Sequence, residues 1–129
     1  MFKLNNKGQS LAMFVVIIPI FALLLTLIYD VSSAIYEKNR LSNTSQMVID
    51  YGLDNIDNVN ENDLINLTIK NTDDLELISV DIKNNYIEVI LEKKVTGIIG
   101  NMFGFDLKRV KAHYTGSIID NVKKIERVK

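Results

Sequence analysis

The pattern of apolar and polar positions divides the chain into two regimes. From Leu11 to Tyr29 the run LAMFVVIIPIFALLLTLIY is apolar apart from Thr26, and no residue between Lys7 and Asp30 is charged. A helix needs about 20 such residues to cross a bilayer. The Leu, Ile, Phe and Val side chains of the run together favour insertion by about −4 to −8 kcal/mol. Pro19 removes one backbone donor and predicts a kink, which membrane helices tolerate. Ser32-Ser33-Ala34 supplies small residues of the kind a signal peptidase cuts, but the apolar stretch exceeds the usual signal-peptide core of about 7–15 residues. The segment therefore reads as an anchor. Lys3 and Lys7 precede it, whereas Asp30 follows it and the next cations are Lys38 and Arg40, which puts the N-terminus on the cytoplasmic side.

Beyond Asp30 the periodicity changes. Val31, Ile35, Val48 and Tyr51 flank the polar stretch EKNRLSNTSQ with no Pro and no Gly, which predicts that the helix continues outward and stops at Gly52. The Asn- and Asp-rich stretch DNIDNVNENDLINLTIKNTDD lacks the spacing and the Gly of a calcium-binding loop, and reads as a loop followed by a short strand or helical turn. A period of two then sets in. Ile78, Val80 and Ile82 alternate with Ser79, Asp81 and Lys83, and Ile87, Val89 and Leu91 follow after Asn84-Asn85, a pair able to form a tight hairpin turn. A third strand places Val110, Ala112, Tyr114, Gly116 and Ile118 opposite Lys111, His113, Thr115 and Ser117. Between the second and third strands, VTGIIGNMFGF is an apolar loop. Its Ile98, Ile99, Met102, Phe103 and Phe105 are expected to tuck under the sheet, with a partner contact as the alternative.

These elements predict an α+β fold: a long N-terminal membrane-spanning helix continues outward and packs on a small antiparallel sheet of about three strands. The organisation is a basic leader over 1–8, a transmembrane and extended helix over 9–52, and an extracytoplasmic sheet domain over 53–129. At 129 residues there is no room for a second globular core.

Composition narrows the function. The net charge of −1, without one basic patch, speaks against nucleic acid as a partner. Acidic residues concentrate between Asp54 and Glu76 and basic ones after Lys123, which reads as two solvated surfaces. With no cysteine there is neither a disulfide nor a thiolate metal site. The lone histidine, His113, falls on the polar face of a strand, where it reads as solvated. No nucleophile-base pair, carboxylate pair, metal cluster or phosphate cradle is present, so the expectation is a non-enzymatic chain without catalytic residues, metal or cofactor.

What stands out is the junction Lys7-Gly8-Gln9-Ser10-Leu11-Ala12-Met13-Phe14, where a basic leader meets a glycine directly before the apolar run. The segment GQSLAMFVVIIPIFALLLTLIYD resembles the N-terminus of TadE-like pseudopilins of the tight-adherence pilus systems, which are related to type IV pili. Gly8, Gln9, Phe14, Pro19 and Asp30 coincide with that pattern. The resemblance covers about the first third of the chain and continues weakly in Tyr36, Leu41 and the later strands. It implies a bacterial membrane location, cleavage between Gly8 and Gln9 by a prepilin peptidase, and a structural role beside other pseudopilin or pilus subunits, with membrane lipid as the partner before assembly. Met13 stands where the family usually has Glu. Loss of that carboxylate argues against ordinary incorporation into a long homopolymer. The competing expectation is an uncleaved, single-pass anchored binding or accessory protein at the cell surface.

Overall fold

The computed structural model describes residues 6–95, 97–103 and 108–128. Lys3, Phe105 and the Phe103 side chain therefore lie outside the described residues. The fold is α+β, with one long helix packed on an open antiparallel sheet. Helix α1 runs unbroken over Asn6–Asp54, 49 residues that rise about 74 Å. Its first half is the apolar run, and none of the membrane-length window there is buried by the rest of the chain. Its second half turns Leu41, Thr44, Ser45, Val48, Ile49, Gly52 and Leu53 inward. One continuous helix is thus half candidate membrane span and half core element.

The sheet has four strands rather than three. Strands β1 (Leu75–Lys83), β2 (Tyr86–Val95), β3 (Lys108–Ile119) and β4 (Val122–Arg127) lie in the order β1-β2-β3-β4, each antiparallel to the next. The predicted alternation holds along the middle of the sheet: Ile87, Val89 and Leu91 on β2 and Val110, Ala112 and Tyr114 on β3 are buried against α1. β4 escaped the periodicity argument because only Ile125 turns toward the core, while its other side chains are exposed. The turn before it fixes its register: Asp120 and Asn121 both take left-handed angles, with φ of 53° and 64°. Two such residues match the right-handed twist of a two-residue hairpin. In the β1–β2 turn only Asn85, at φ 57°, does so.

Two further expectations are corrected. Gly52 does not end α1. The helix continues to Asp54, and Gly52 instead leaves room for its neighbours, since a Cβ there would lie 3.0 Å from Leu64 Cδ1 and 2.5 Å from Ile87 Cδ1. Leu64 belongs to α2 (Glu61–Asn71), a full helix where only a loop with a short strand or turn was expected. Its start is a capping box: the Asp63 N–H donates to Asn60 Oδ1 at 2.9 Å, and the Asn60 N–H donates to Asp63 Oδ2 at 3.1 Å. Its end is tied to α1, where the buried Thr72 hydroxyl donates to Thr44 Oγ1 at 3.0 Å. Gly116, on the apolar face of β3 as expected, marks the closest seating of α1, because a Cβ there would collide with Ile49.

Charges fasten the helix at both ends of the sheet. Lys123 of β4 reaches Asp50 and Asp54, one turn apart on α1, at 2.7 Å each, which joins the basic cluster to the first residue of the acidic one while all three side chains stay partly exposed. Hydrogen bonds to Asp50 and Asp54 raise the Lys123 pKa above its ordinary value. A raised folded-state value means that this contribution is complete below the ordinary lysine range and is lost only as pH climbs through the raised one. Nearer the apolar half of α1, Lys93 lies on the inner face of β2, where the alternation puts apolar residues. Its Nζ meets Glu37 Oε2 of α1 at 3.0 Å, with side chains only 11% and 18% exposed.

Breaking such a largely buried pair by removing one partner leaves the other charge uncompensated. Lys93→Met in the full chain in detergent micelles is expected to cost toward the lower end of about 3–5 kcal/mol by chemical denaturation, because both groups keep some solvent contact. Adding Glu37→Leu should restore most of that loss. If the two single losses simply add, the pair does not hold the helix to the sheet.

Candidate functional site

The residues that carry the resemblance are strung along α1 in order. Gly8 is half-buried and Gln9 exposed in the first turns of the helix. Met13 and Phe14 are 63% and 59% exposed, and Pro19 sits inside a helix whose assignment is unbroken around it. The two hydroxyls of this half are satisfied by the helix itself: Ser10 donates to the Asn6 carbonyl at 2.9 Å and Thr26 to the Leu23 carbonyl at 2.7 Å. Gly8, Gln9, Met13, Phe14 and Pro19 are spread along the helix, with Gln9, Met13, Phe14 and Pro19 exposed.

Asp30 is different. Its carboxylate accepts the Ile98 N–H at Oδ1 (2.7 Å) and the Ile99 N–H at Oδ2 (3.0 Å). These are the first amides of α3 (Ile98–Phe103), the short helix formed by the apolar loop. The first N–H groups of a helix have no internal partner, and a carboxylate suits them in both hydrogen bonding and dipole. Gly97 permits the approach, because a Cβ there would stand 2.6 Å from Asp30 Oδ2. The expectation that this loop tucks under the sheet is corrected for two of its residues. Ile99 is half-buried, but Ile98 and Met102 are 41% and 70% exposed. They fall at i and i+4, on one face of α3.

The distance between the two motif ends follows from helix geometry. The 22 residues from Gly8 to Asp30 rise about 33 Å, close to the hydrocarbon thickness of a bilayer of about 30 Å. Asp30 therefore stands one membrane thickness from Gly8, where the helix leaves the apolar run.

On the outer sheet face His113 is not freely solvated. Its Nε2 is shielded from solvent and lies 3.2 Å from Glu88 Oε2 on the neighbouring strand. On the inner face, the Ser42 hydroxyl, followed by Gln46, Arg127 and Lys38, holds the Tyr114 phenol below its ordinary pKa. Among the described residues no group of His, Asp and Glu is arranged to hold a metal ion. No protein-family model, curated protein or solved structure matches the chain.

The contacts that sequence reasoning missed join distant segments, among them Asp30 to Ile98 across 68 positions, Lys93 to Glu37 across 56, and Lys123 to Asp50 and Asp54 across 73 and 69. Gly97 was visible as a glycine beside an apolar run, but nothing local paired it with Asp30.

Asp30→Ala removes two charge-assisted acceptors, so local opening of α3 should become easier by about 1–3 kcal/mol. Hydrogen exchange in micelles is expected to accelerate at the Ile98 and Ile99 amides, and Gly97→Ala should do the same by displacing the carboxylate. Exchange at Val89 and Leu91 should stay slow. Unchanged protection at Ile98 in both variants would rule out the cap.

Proposed function

We propose that this chain is a minor pseudopilin or pilus-assembly component, held by α1 in the bacterial cell membrane with its N-terminus in the cytoplasm and its sheet domain outside. The observation that carries this reading is the division of labour within α1. A bare apolar half of membrane length starts at Gly8-Gln9 and passes without interruption into the helix that closes the sheet. A subunit of this design rests in lipid and can later exchange lipid for the helices of other subunits. Part of a surface for them is exposed on the outer half too. Tyr36, Met47 and Tyr51 are 66%, 40% and 48% exposed. They lie within about 60° of one another on the helix, with Tyr36 about 180° from the sheet-facing Ser45.

The role is structural, with a prepilin peptidase as processing partner at Gly8 and other pilus subunits as assembly partners. Met13 in place of the usual Glu supports a tip or initiating position. A lone carboxylate costs about 2.5–3.5 kcal/mol at the middle of a span and persists where a partner compensates it. A subunit with no neighbour to pair with has no use for one.

The mature chain is expected to begin at Gln9 when its N-terminus is read by mass spectrometry. Gly8→Leu should leave the full-length form in the membrane. Unchanged processing of that variant, or a native chain that retains residues 1–8, would favour an uncleaved anchored binding protein instead.

The position in an assembly has its own test. Met13→Glu lies near the cytoplasmic end of the span, where a charge costs less than at the centre, so insertion should persist while assembly changes. Cross-linking of single-Cys versions in cells is expected to find the native chain beside other subunits only. Regular self-contacts along a filament would defeat the tip or initiator assignment.

A further inference from the structure

α3 is a short apolar helix whose first amides are fixed to Asp30, the residue that ends the apolar run of α1. We infer that α3 is an interfacial foot: its Ile98 and Met102 face dips into the outer boundary of the same bilayer that α1 crosses, and so fixes the tilt and height of the sheet domain above the membrane. The inference rests on the reading of the Leu11–Tyr29 run as a membrane span.

Height along α1 selects lipid as the occupant. If the run from Leu11 fills the hydrocarbon, Asp30 lies at its outer edge, where Tyr29 is 60% exposed. An aromatic side chain with a polar tip suits that level. With six residues α3 is about 9 Å long. Whatever its direction, its exposed face stays within one such length of the edge, about the depth to which an interfacial helix buries its apolar side. Continuity supports the same occupant. Leu23 and Leu27, 50% and 48% exposed, lie within about 60° of Asp30 on α1, the side on which α3 is held, so an apolar face of the span continues toward Ile98 and Met102.

The sheet end from which α3 departs carries charges of both signs. Lys94 and Arg109, opposite each other on β2 and β3, both reach the single carboxylate of Glu76, at 3.4 and 3.5 Å. Their side chains are 51% and 61% exposed. Asp73 and Asp74, exposed just before β1, add two carboxylates at the same end, so this edge carries no excess of positive charge and the foot rests on its apolar face. In this arrangement Asp30 is a positioning residue. It touches no lipid tail itself and acts by holding α3 against the exit of the span.

The absence of cysteine makes the test direct. Single-Cys versions of the full chain carry a polarity-sensitive fluorophore at Met102→Cys, at Ile18→Cys within the run, or at Asn84→Cys in the exposed turn at the far end of β1 and β2. They are reconstituted in vesicles of equal amounts of phosphatidylcholine and phosphatidylglycerol that carry nitroxide lipids labelled either near the headgroup or deep in the acyl chain. The Ile18 label should be quenched best by the deep nitroxide, the Met102 label best by the shallow one, and the Asn84 label by neither. Adding Asp30→Ala should move the Met102 label toward the behaviour of the Asn84 label while the Ile18 label keeps its depth. Asp30→Asn, which retains one acceptor, should fall between. If the Met102 label is no more quenched than the Asn84 label while the Ile18 label is buried, the chain spans the bilayer and α3 stands in water, which overturns the foot. If the Ile18 label also escapes quenching, the span reading itself fails and the foot fails with it.

Discussion

The apolar face of the sheet, built from Ile87, Val89 and Leu91 on β2 and Val110, Ala112 and Tyr114 on β3, needs a cover, and the second half of α1 supplies most of it. A four-strand sheet of this size has no second layer of its own, and an uncovered apolar face is not stable in water. Leu41, Val48, Ile49 and Leu53 meet that face, and α2 adds Leu64 at the β1 side. The close seating at Gly116 and the notch at Gly52 are consequences of how near the helix must come for so few side chains to fill the space.

The same helix also carries the candidate membrane span. Its first half presents apolar side chains on every side and is covered by nothing within the chain, which suits hydrocarbon and not water. Because the helical assignment does not break between the two halves, the orientation of the domain is tied to that of the candidate span. Asp30 sits at the change of environment. It joins the N-terminal motif to another element, whereas Gln9, Met13 and Phe14 are exposed.

Charge placement follows the same economy of contacts. Lys93 and Glu37 occupy inward positions where packing would call for apolar residues, and such pairs favour one docking geometry more than they add stability. Lys123 does the corresponding task in the open, on an edge strand whose lysines also discourage pairing with another chain.

The length of the apolar run, the alternation of Ile78 to Leu91 and of Val110 to Ile118, and the α+β architecture were legible in the residues alone, since each rests on a period repeated within one segment. The capping box Asn60 to Asp63 was also written there, but the polar composition around it obscured a helix with only Leu64 and Thr68 buried. β4 was not legible, because an edge strand with Ile125 as its one inward apolar side chain carries no alternation to detect. Gly52 shows the limit most clearly: as a local signal it reads as a helix stop, and only the arrival of Leu64 and Ile87 makes it a point of close approach inside the helix. The cap of Asp30 on Ile98, the pairing of Lys93 with Glu37 and the outward face of Ile98 and Met102 were decided by the tertiary structure. Periodicity reports what a segment wants to bury, but the partners of a lone charge or glycine exist only once distant segments have been brought together.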